Sequence, residues 1–145
     1  MGNRNKWRWY IFSFVVITIC TFCFGIWSMG RFDSQPSSIC DDCSFYRDLA
    51  FMSVTYSFVY ILFQLVIFKI RNIVLRITVQ ILLLLMMWYD IASSIFIIRE
   101  ASWSTYTSGE MFRYVINFSA IPAIVMGIIV ILITKLINNM NDLKK

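Results

Sequence analysis

The sequence predicts an all-α integral membrane protein, a four-helix antiparallel bundle built from a single domain, 1–145. Three observations predict this fold. The chain contains four long, mostly apolar stretches, at 9–29, 49–68, 77–98 and 114–134. Each has about twenty residues, which as a helix cross roughly 30 Å of hydrocarbon. Hydrophobic residues make up 59% of the chain and charged residues only 14%, whereas soluble domains carry about 25% charge. The connections are too short to fold into a further domain.

The first span, 9–29, has aromatic residues at both ends, among them Trp9 and Trp27. Tryptophan is enriched where a helix crosses the headgroup region. The apolar run is longer than the core of a signal peptide, and no A-x-A-like cleavage site follows it. We therefore expect this span to remain in the mature protein.

The remaining elements follow in order. The first loop, 30–48, is polar and is the longest connection. A short basic turn, 69–76, joins spans two and three into an antiparallel hairpin. The second loop, 99–113, is rich in Ser and Thr, and the last span contains Pro122, which neighbouring helices can accommodate.

Basic residues are distributed unevenly between the two sides that this threading defines. Nine of the 13 lie on the side of the termini and of the basic turn, and four lie in the two loops 30–48 and 99–113. This asymmetry predicts that both termini are cytoplasmic and that both loops face outward. The net charge of +5 is therefore interpreted as a topology signal rather than as a nucleic-acid footprint.

Asp90 is the only charged residue inside any span. A carboxyl group there must lie in the bundle interior, carry a proton or meet water, because exposure to hydrocarbon is costly. Counting residues along each span places other polar side chains at a similar depth. We predict an intramembrane polar cluster in the outer half of the bundle, consisting of Asp90, Ser93, Ser94, Thr55, Tyr56, Ser57, Asn117 and Ser119. The alternatives for this cluster are packing, contact with a partner helix, and ion or proton transport.

Gln64 and Gln80 occupy the inner halves of spans two and three. The short turn between these spans puts the two residues at similar depths on adjacent helices. Because an amide in lipid needs a hydrogen-bond partner, we predict that the two form an interhelical pair.

The first loop contains Cys40-Asp41-Asp42-Cys43, followed by Arg47 at the start of span two. This C-x-x-C-x-x-x-R element resembles the DsbB-type disulfide-forming membrane proteins, which also have four spans. The resemblance implies that Cys40 and Cys43 are a redox pair and that Arg47 helps to hold quinone. The second loop lacks the further cysteine pair that this family needs, so a structural disulfide or a reduced pair is the alternative.

Several functional classes are not indicated. The chain has no histidine, the commonest general base and metal ligand. No phosphate-binding loop, nucleophile elbow or zinc-protease motif occurs. Zinc binding by the four cysteines is not expected, because Cys20 and Cys23 lie inside span one. We therefore predict no catalytic residues, no metal and no cofactor, with quinone as the alternative.

In its layout the chain is similar to the four-span immunity proteins against pore-forming bacteriocins. The shared features are termini on the inside, a long first outer loop and a short basic turn between spans two and three. The resemblance implies protection through helix–helix recognition of a toxin in the bilayer. We therefore expect a non-enzymatic protein of a bacterial inner membrane, whose partners are the lipid bilayer and another membrane protein or a pore-forming toxin. Homo-oligomers are compatible with this reading, and a small transporter built on Asp90, which would need them, is a further alternative.

Overall fold

A computed structural model describes residues 3–39, 43–67 and 69–142, with side chains described only between 10 and 133. Four long helices dominate it: α1 (Asn3–Met29), α2 (Phe45–Ile67), α3 (Ile73–Arg99) and α4 (Ser108–Asp142). Short 3₁₀ turns follow α1 and α3, at Gly30–Phe32 and Ala101–Trp103. The described part of the chain contains no strand.

This architecture confirms the predicted all-α fold. All four helices are long and apolar enough to cross a bilayer, with candidate spans at Tyr10–Phe32, Phe45–Ile67, Ile73–Trp103 and Ser108–Ile133. The chain is thus a multi-pass membrane protein. The sides of the membrane on which the termini lie stay a prediction.

Helices α3 and α4 begin before the apolar stretches that they contain, at positions where polar side chains cap them. The Asn72 side chain accepts hydrogen bonds from the backbone N–H groups of Val74 and Leu75, over 3.0 and 3.3 Å, and so caps α3. Glu110 Oε2 accepts the Thr107 N–H over 2.9 Å, and Thr107 Oγ1 accepts the Glu110 N–H over 3.4 Å. This reciprocal pair is a capping box at the start of α4.

Helices α1 and α3 form the centre of the bundle. Each of them packs against the other three helices, and α2 and α4 flank them. At the centre the rings of Phe24 and Trp88 stack with centroids 4.9 Å apart. Trp88 Nε1 donates a hydrogen bond to Thr21 Oγ1 over 3.1 Å, which satisfies the only polar atom of a side chain that is 1% exposed.

Helices α1 and α2 approach each other through a glycine. Leu49 is fully buried against Gly25, and a Cβ atom at Gly25 would overlap the leucine side chain. Ser53 and Ser57 continue the buried side of α2, one and two turns after Leu49. Small residues let membrane helices pack closely, and this contact has that character.

We call the end of the bundle that contains 30–39, 43–44 and 100–107 the cap end. The opposite end, which contains 69–72, is the turn end. Because α1 and α3 run toward the cap end while α2 and α4 run away from it, the helices are antiparallel in sequence order.

Candidate functional site

Arg99 is the centre of the cap end. It is the last residue of α3 and is 3% exposed. Its Nη1 donates to the carbonyl oxygens of Gln35 and Asp33, over 2.7 and 3.4 Å. Its Nη2 donates to the Cys43 carbonyl oxygen over 2.9 Å and to Asp48 Oδ2 over 3.1 Å. One guanidinium group therefore fixes both described parts of the first loop and the start of α2 to the end of α3.

Further contacts join the two loops. The Ser38 N–H donates to the Ile98 carbonyl oxygen over 2.9 Å, and Trp103 Nε1 donates to the Pro36 carbonyl oxygen over 3.2 Å. The Tyr106 hydroxyl donates to Glu100 Oε1 over 3.1 Å, and this bond to a carboxylate raises the pKa of the tyrosine. The described residues of the loops thus form a folded cap.

Sequence analysis missed this role of Arg99, which it counted only among the loop cations. The signal in the sequence was the position of Arg99, because it directly follows the uncharged residues 91–98 at the end of span three. An arginine with five donors can satisfy several loop carbonyls at once. Which carbonyls it meets depends on the path of the loop, and no pattern in the sequence specifies that path.

Asp90 and Tyr56 form the main polar contact within the spans. The Tyr56 hydroxyl on α2 donates to Asp90 Oδ2 on α3. Asp90 lies about 13 Å from Arg99 along α3, at 1.5 Å per residue. Its side chain is nevertheless exposed on the outside of the bundle, whereas Tyr56 is half-buried. The sequence left three possibilities for this carboxyl group: a place in the bundle interior, protonation, or contact with water. The structure excludes the first, because the side chain lies on the outside of the bundle.

A groove of about 350 Å³ between α2 and α3 contains this pair. We call it the α2–α3 groove. Apart from Tyr56 and Asp90, the described residues that line it are apolar or aromatic, and none of them is basic. The other lining residues are Val59, Tyr60, Phe63, Leu83, Met86, Met87 and Tyr89. The groove runs about two helical turns along each helix, and Asp90 lies toward the cap end.

The structure does not bring the other predicted members of the intramembrane polar cluster together, so that part of the expectation was wrong. Thr55 and Asn117 are exposed on the outside of the bundle, and Ser94 is half-buried. Ser57 is fully buried, and its hydroxyl has no hydrogen-bond partner among the described residues. The physical reason is that residues one or two positions apart, such as Thr55 and Ser57, point in different directions around a helix even at similar depth.

Two of the predicted serines bond to their own helices. Ser93 Oγ donates to the Asp90 carbonyl oxygen over 3.0 Å, and Ser119 Oγ donates to the Val115 carbonyl oxygen over 2.5 Å. These bonds satisfy the hydroxyls locally. Of the eight predicted residues, the structure thus joins the side chains of Asp90 and Tyr56, and Ser93 contacts Asp90 only through its backbone.

The amide pair is present as predicted. Gln80 Nε2 donates to Gln64 Oε1 over 2.6 Å, and Gln64 is buried while Gln80 is half-buried. The bond links α2 to α3 on the turn side of the groove. It fixes the register of the two helices that form the groove walls.

A second cavity, of about 390 Å³, lies at the cap end beside the cysteine element. Cys43 and Arg47 both line it, together with the apolar side chains of Phe51, Met52 and Ile98. Cys43 is disulfide-bonded. Cys40, Asp41 and Asp42 lie outside the described residues, so the predicted redox pair is placed only in part.

Cys20 is free and buried, and Cys23 is free and exposed on α1. Among the described residues no group of three or more metal-binding side chains is found. No family model, no curated protein and no solved structure matches the chain.

Proposed function

We propose that this chain is a non-enzymatic membrane protein that acts by helix–helix interaction with another membrane protein or a pore-forming toxin. The transmembrane helix of that partner docks in the α2–α3 groove. One observation carries the proposal: Asp90 and its Tyr56 contact lie within the spans but on the outside of the bundle.

The solvent around this carboxyl group is the hydrocarbon of the bilayer. A carboxyl group exposed to hydrocarbon costs about 2.5–3.5 kcal/mol on insertion scales. The Tyr56 hydroxyl occupies one carboxyl oxygen, and the bundle offers no further described donor to Asp90. A helix laid over the groove removes this group from lipid and covers Met86, which is 70% exposed. Methionines suit such a surface because their flexible side chains adapt to a partner.

The proposed topology places both termini in the cytoplasm and the cap end outside, in a bacterial inner membrane. The nine-to-four distribution of basic residues supports it. In this orientation Asp90 lies in the outer half of the membrane, where a toxin that enters from outside first meets the groove. Reporter fusions at the two termini test this topology, because fusions that report opposite faces would exclude it.

Site-specific photocrosslinking in the membrane tests the docking surface. A photoreactive amino acid at Met86 reports on the groove. The same amino acid at Ile121 on α4 is a matched control, because the two side chains are 70% and 64% exposed. We expect an adduct with one membrane protein from position 86 only, and its loss in Asp90→Leu. Equal adducts from both positions, or an adduct that survives Asp90→Leu, would contradict the proposal.

The immunity form of the proposal has its own assay. Sensitive cells that express the chain are challenged with a panel of pore-forming bacteriocins. We expect protection against at least one toxin and its loss in Asp90→Leu at an unchanged membrane level of protein. If no toxin is resisted, the immunity form fails, and the crosslinking result still decides whether the groove binds a helix.

The cavity at the cap end favours a second candidate, a DsbB-like thiol–disulfide oxidoreductase. Arg47 beside Phe51 and Met52 fits a quinone, because a cation and an apolar wall match a ring with polar oxygens. Oxidation of the Cys40 and Cys43 thiols to a disulfide would deliver two electrons and two protons to the quinone. Replacing both cysteines by serine should abolish function only under this candidate, whereas Asp90→Leu should leave it intact.

A further inference from the structure

We propose that the helix that docks in the α2–α3 groove carries a lysine or arginine that pairs with Asp90. This inference rests on the proposed function and names the chemistry of the partner. It starts from the contacts of the carboxyl group. Among the described residues its only side-chain partner is the Tyr56 hydroxyl, which reaches Oδ2, and no basic residue lines the groove.

The cation has to come from a different protein. In this chain all 13 basic residues lie outside the four apolar stretches 9–29, 49–68, 77–98 and 114–134. A second copy shares the same topology, so it offers no basic side chain at the depth of Asp90. It would instead bring a second Asp90 to the contact. Self-association through this groove is therefore disfavoured.

The shape of the groove indicates where the apolar residues of the partner helix should lie relative to its basic residue. The lining residues span 56–63 on α2 and 83–90 on α3, which is about 10 Å, or two turns, along each helix. Asp90 and Tyr56 lie at the cap side, and Val59, Phe63 and Met86 lie farther toward the turn end. A matching helix has its basic residue near the cap side and large apolar residues one and two turns farther toward the turn end.

The low dielectric constant at the depth of Asp90 makes its pairing with a basic residue of the partner helix selective. An ion pair and its hydrogen bonds are stronger in a medium of low dielectric constant than in water. A cationic side chain removes the penalty on Asp90, whereas an acidic one adds a second carboxyl group. A leucine leaves the carboxyl group uncompensated. The groove should therefore rank partner helices by the residue at this single position.

Designed peptides test this ranking without knowledge of the natural partner. The full chain, labelled with a fluorescence donor, is reconstituted in phosphatidylcholine vesicles. Acceptor-labelled polyleucine transmembrane peptides carry Lys, Leu or Glu at the depth of Asp90. We expect the Lys peptide to bind at least about tenfold more tightly than the Leu peptide, which corresponds to about 1.4 kcal/mol. The Glu peptide should bind most weakly.

Three variants make the test specific. Asp90→Asn keeps the shape of the side chain, and it should reduce the preference for Lys over Leu to within about twofold. Thr55→Val removes an exposed hydroxyl of α2 that does not line the groove, and it should preserve the preference. Asn117→Leu removes an exposed polar group from α4 and should change nothing. Energy transfer between two labels on the same chain checks that each variant retains its fold.

The outcomes separate this inference from the proposed function. If the three peptides bind equally well, or if Asp90→Asn keeps the Lys preference, the inference is overturned while helix docking itself stands. If no peptide binds, the inference is also overturned, and the crosslinking experiment decides on docking. Binding of tetraphenylphosphonium that depends on Asp90, without binding of the Lys peptide, would instead indicate a small lipophilic cation as the occupant and overturn the inference.

Discussion

Replacing Arg99 by leucine should destabilise the protein more than any other single change at the cap end. The substitution removes an ion pair with Asp48 and the donors to three backbone carbonyls, those of Asp33, Gln35 and Cys43. Breaking a buried ion pair from one side costs about 3–5 kcal/mol. Asp48 is 28% exposed, so water recovers part of its loss. We therefore expect a loss of about 3 kcal/mol in the free energy of unfolding.

The free energy of unfolding can be measured in mixed micelles by titration with sodium dodecyl sulfate and detection of tertiary contacts by tryptophan fluorescence. Arg113→Leu is the matched control, because Arg113 is an exposed arginine near the same end of the bundle. Substitutions of such exposed residues usually change stability by less than about 0.5 kcal/mol. Arg99→Lys should fall between the two, since one ammonium group cannot reproduce the fork of a guanidinium group.

A second measurement locates the loss. Because Arg99 fixes the loop through the Gln35 and Cys43 carbonyls, its removal should speed proteolysis within 33–39 while the spans stay protected. If Arg99→Leu and Arg113→Leu have the same stability and the same cleavage rate, the cap does not depend on Arg99. The reasoning from its four contacts would then be wrong.

The same titration tests two further contacts. Gly25→Ala should lower the free energy of unfolding by about 1–3 kcal/mol, because the new methyl group overlaps the buried Leu49 side chain. In a Leu49→Ala background, which opens that space, Gly25→Ala should cost much less. If the two losses are instead purely additive, the close approach of the helices at Gly25 is refuted. Gln64→Leu should destabilise by about 1–3 kcal/mol, because it leaves both the Gln80 amide and the buried Tyr60 hydroxyl without their partner. The double variant Gln64→Leu/Gln80→Leu removes the unpaired Gln80 amide but still leaves the Tyr60 hydroxyl without its partner, so it should be more stable than Gln64→Leu and less stable than the wild type; a double variant less stable than Gln64→Leu would contradict this.

The sequence predicted the features that depend on length and depth. Four helices follow from four apolar stretches, because lipid allows only structures that satisfy the backbone internally. The Gln64–Gln80 bond follows from a short turn, which sets the depth of one span against the next. In both cases a distance along the chain translates directly into a position along the membrane normal.

Direction around a helix was not predictable in the same way. On α3 the sequence marks one polar face, Asp90 with Ser93 and Ser94, but it does not specify whether that face points into the bundle or toward lipid. Depth counting grouped Thr55, Tyr56 and Ser57 together, although one is exposed, one half-buried and one buried. The orientation of α3 depends instead on the packing of Trp88 against Phe24, a contact between distant parts of the chain.

The exposed position of the Asp90 carboxyl group is unusual for a membrane protein. In a water-soluble bundle an aspartate on the outside is ordinary, because water solvates it. In lipid the outside of a bundle is the unfavourable place for the same residue, and the interior holds its natural partners. Asp90 nevertheless lies outside, beside a tyrosine that satisfies one of its oxygens. Stability of the isolated bundle does not account for that placement, since a leucine there would cost less, whereas the recognition of another helix that we propose would account for it.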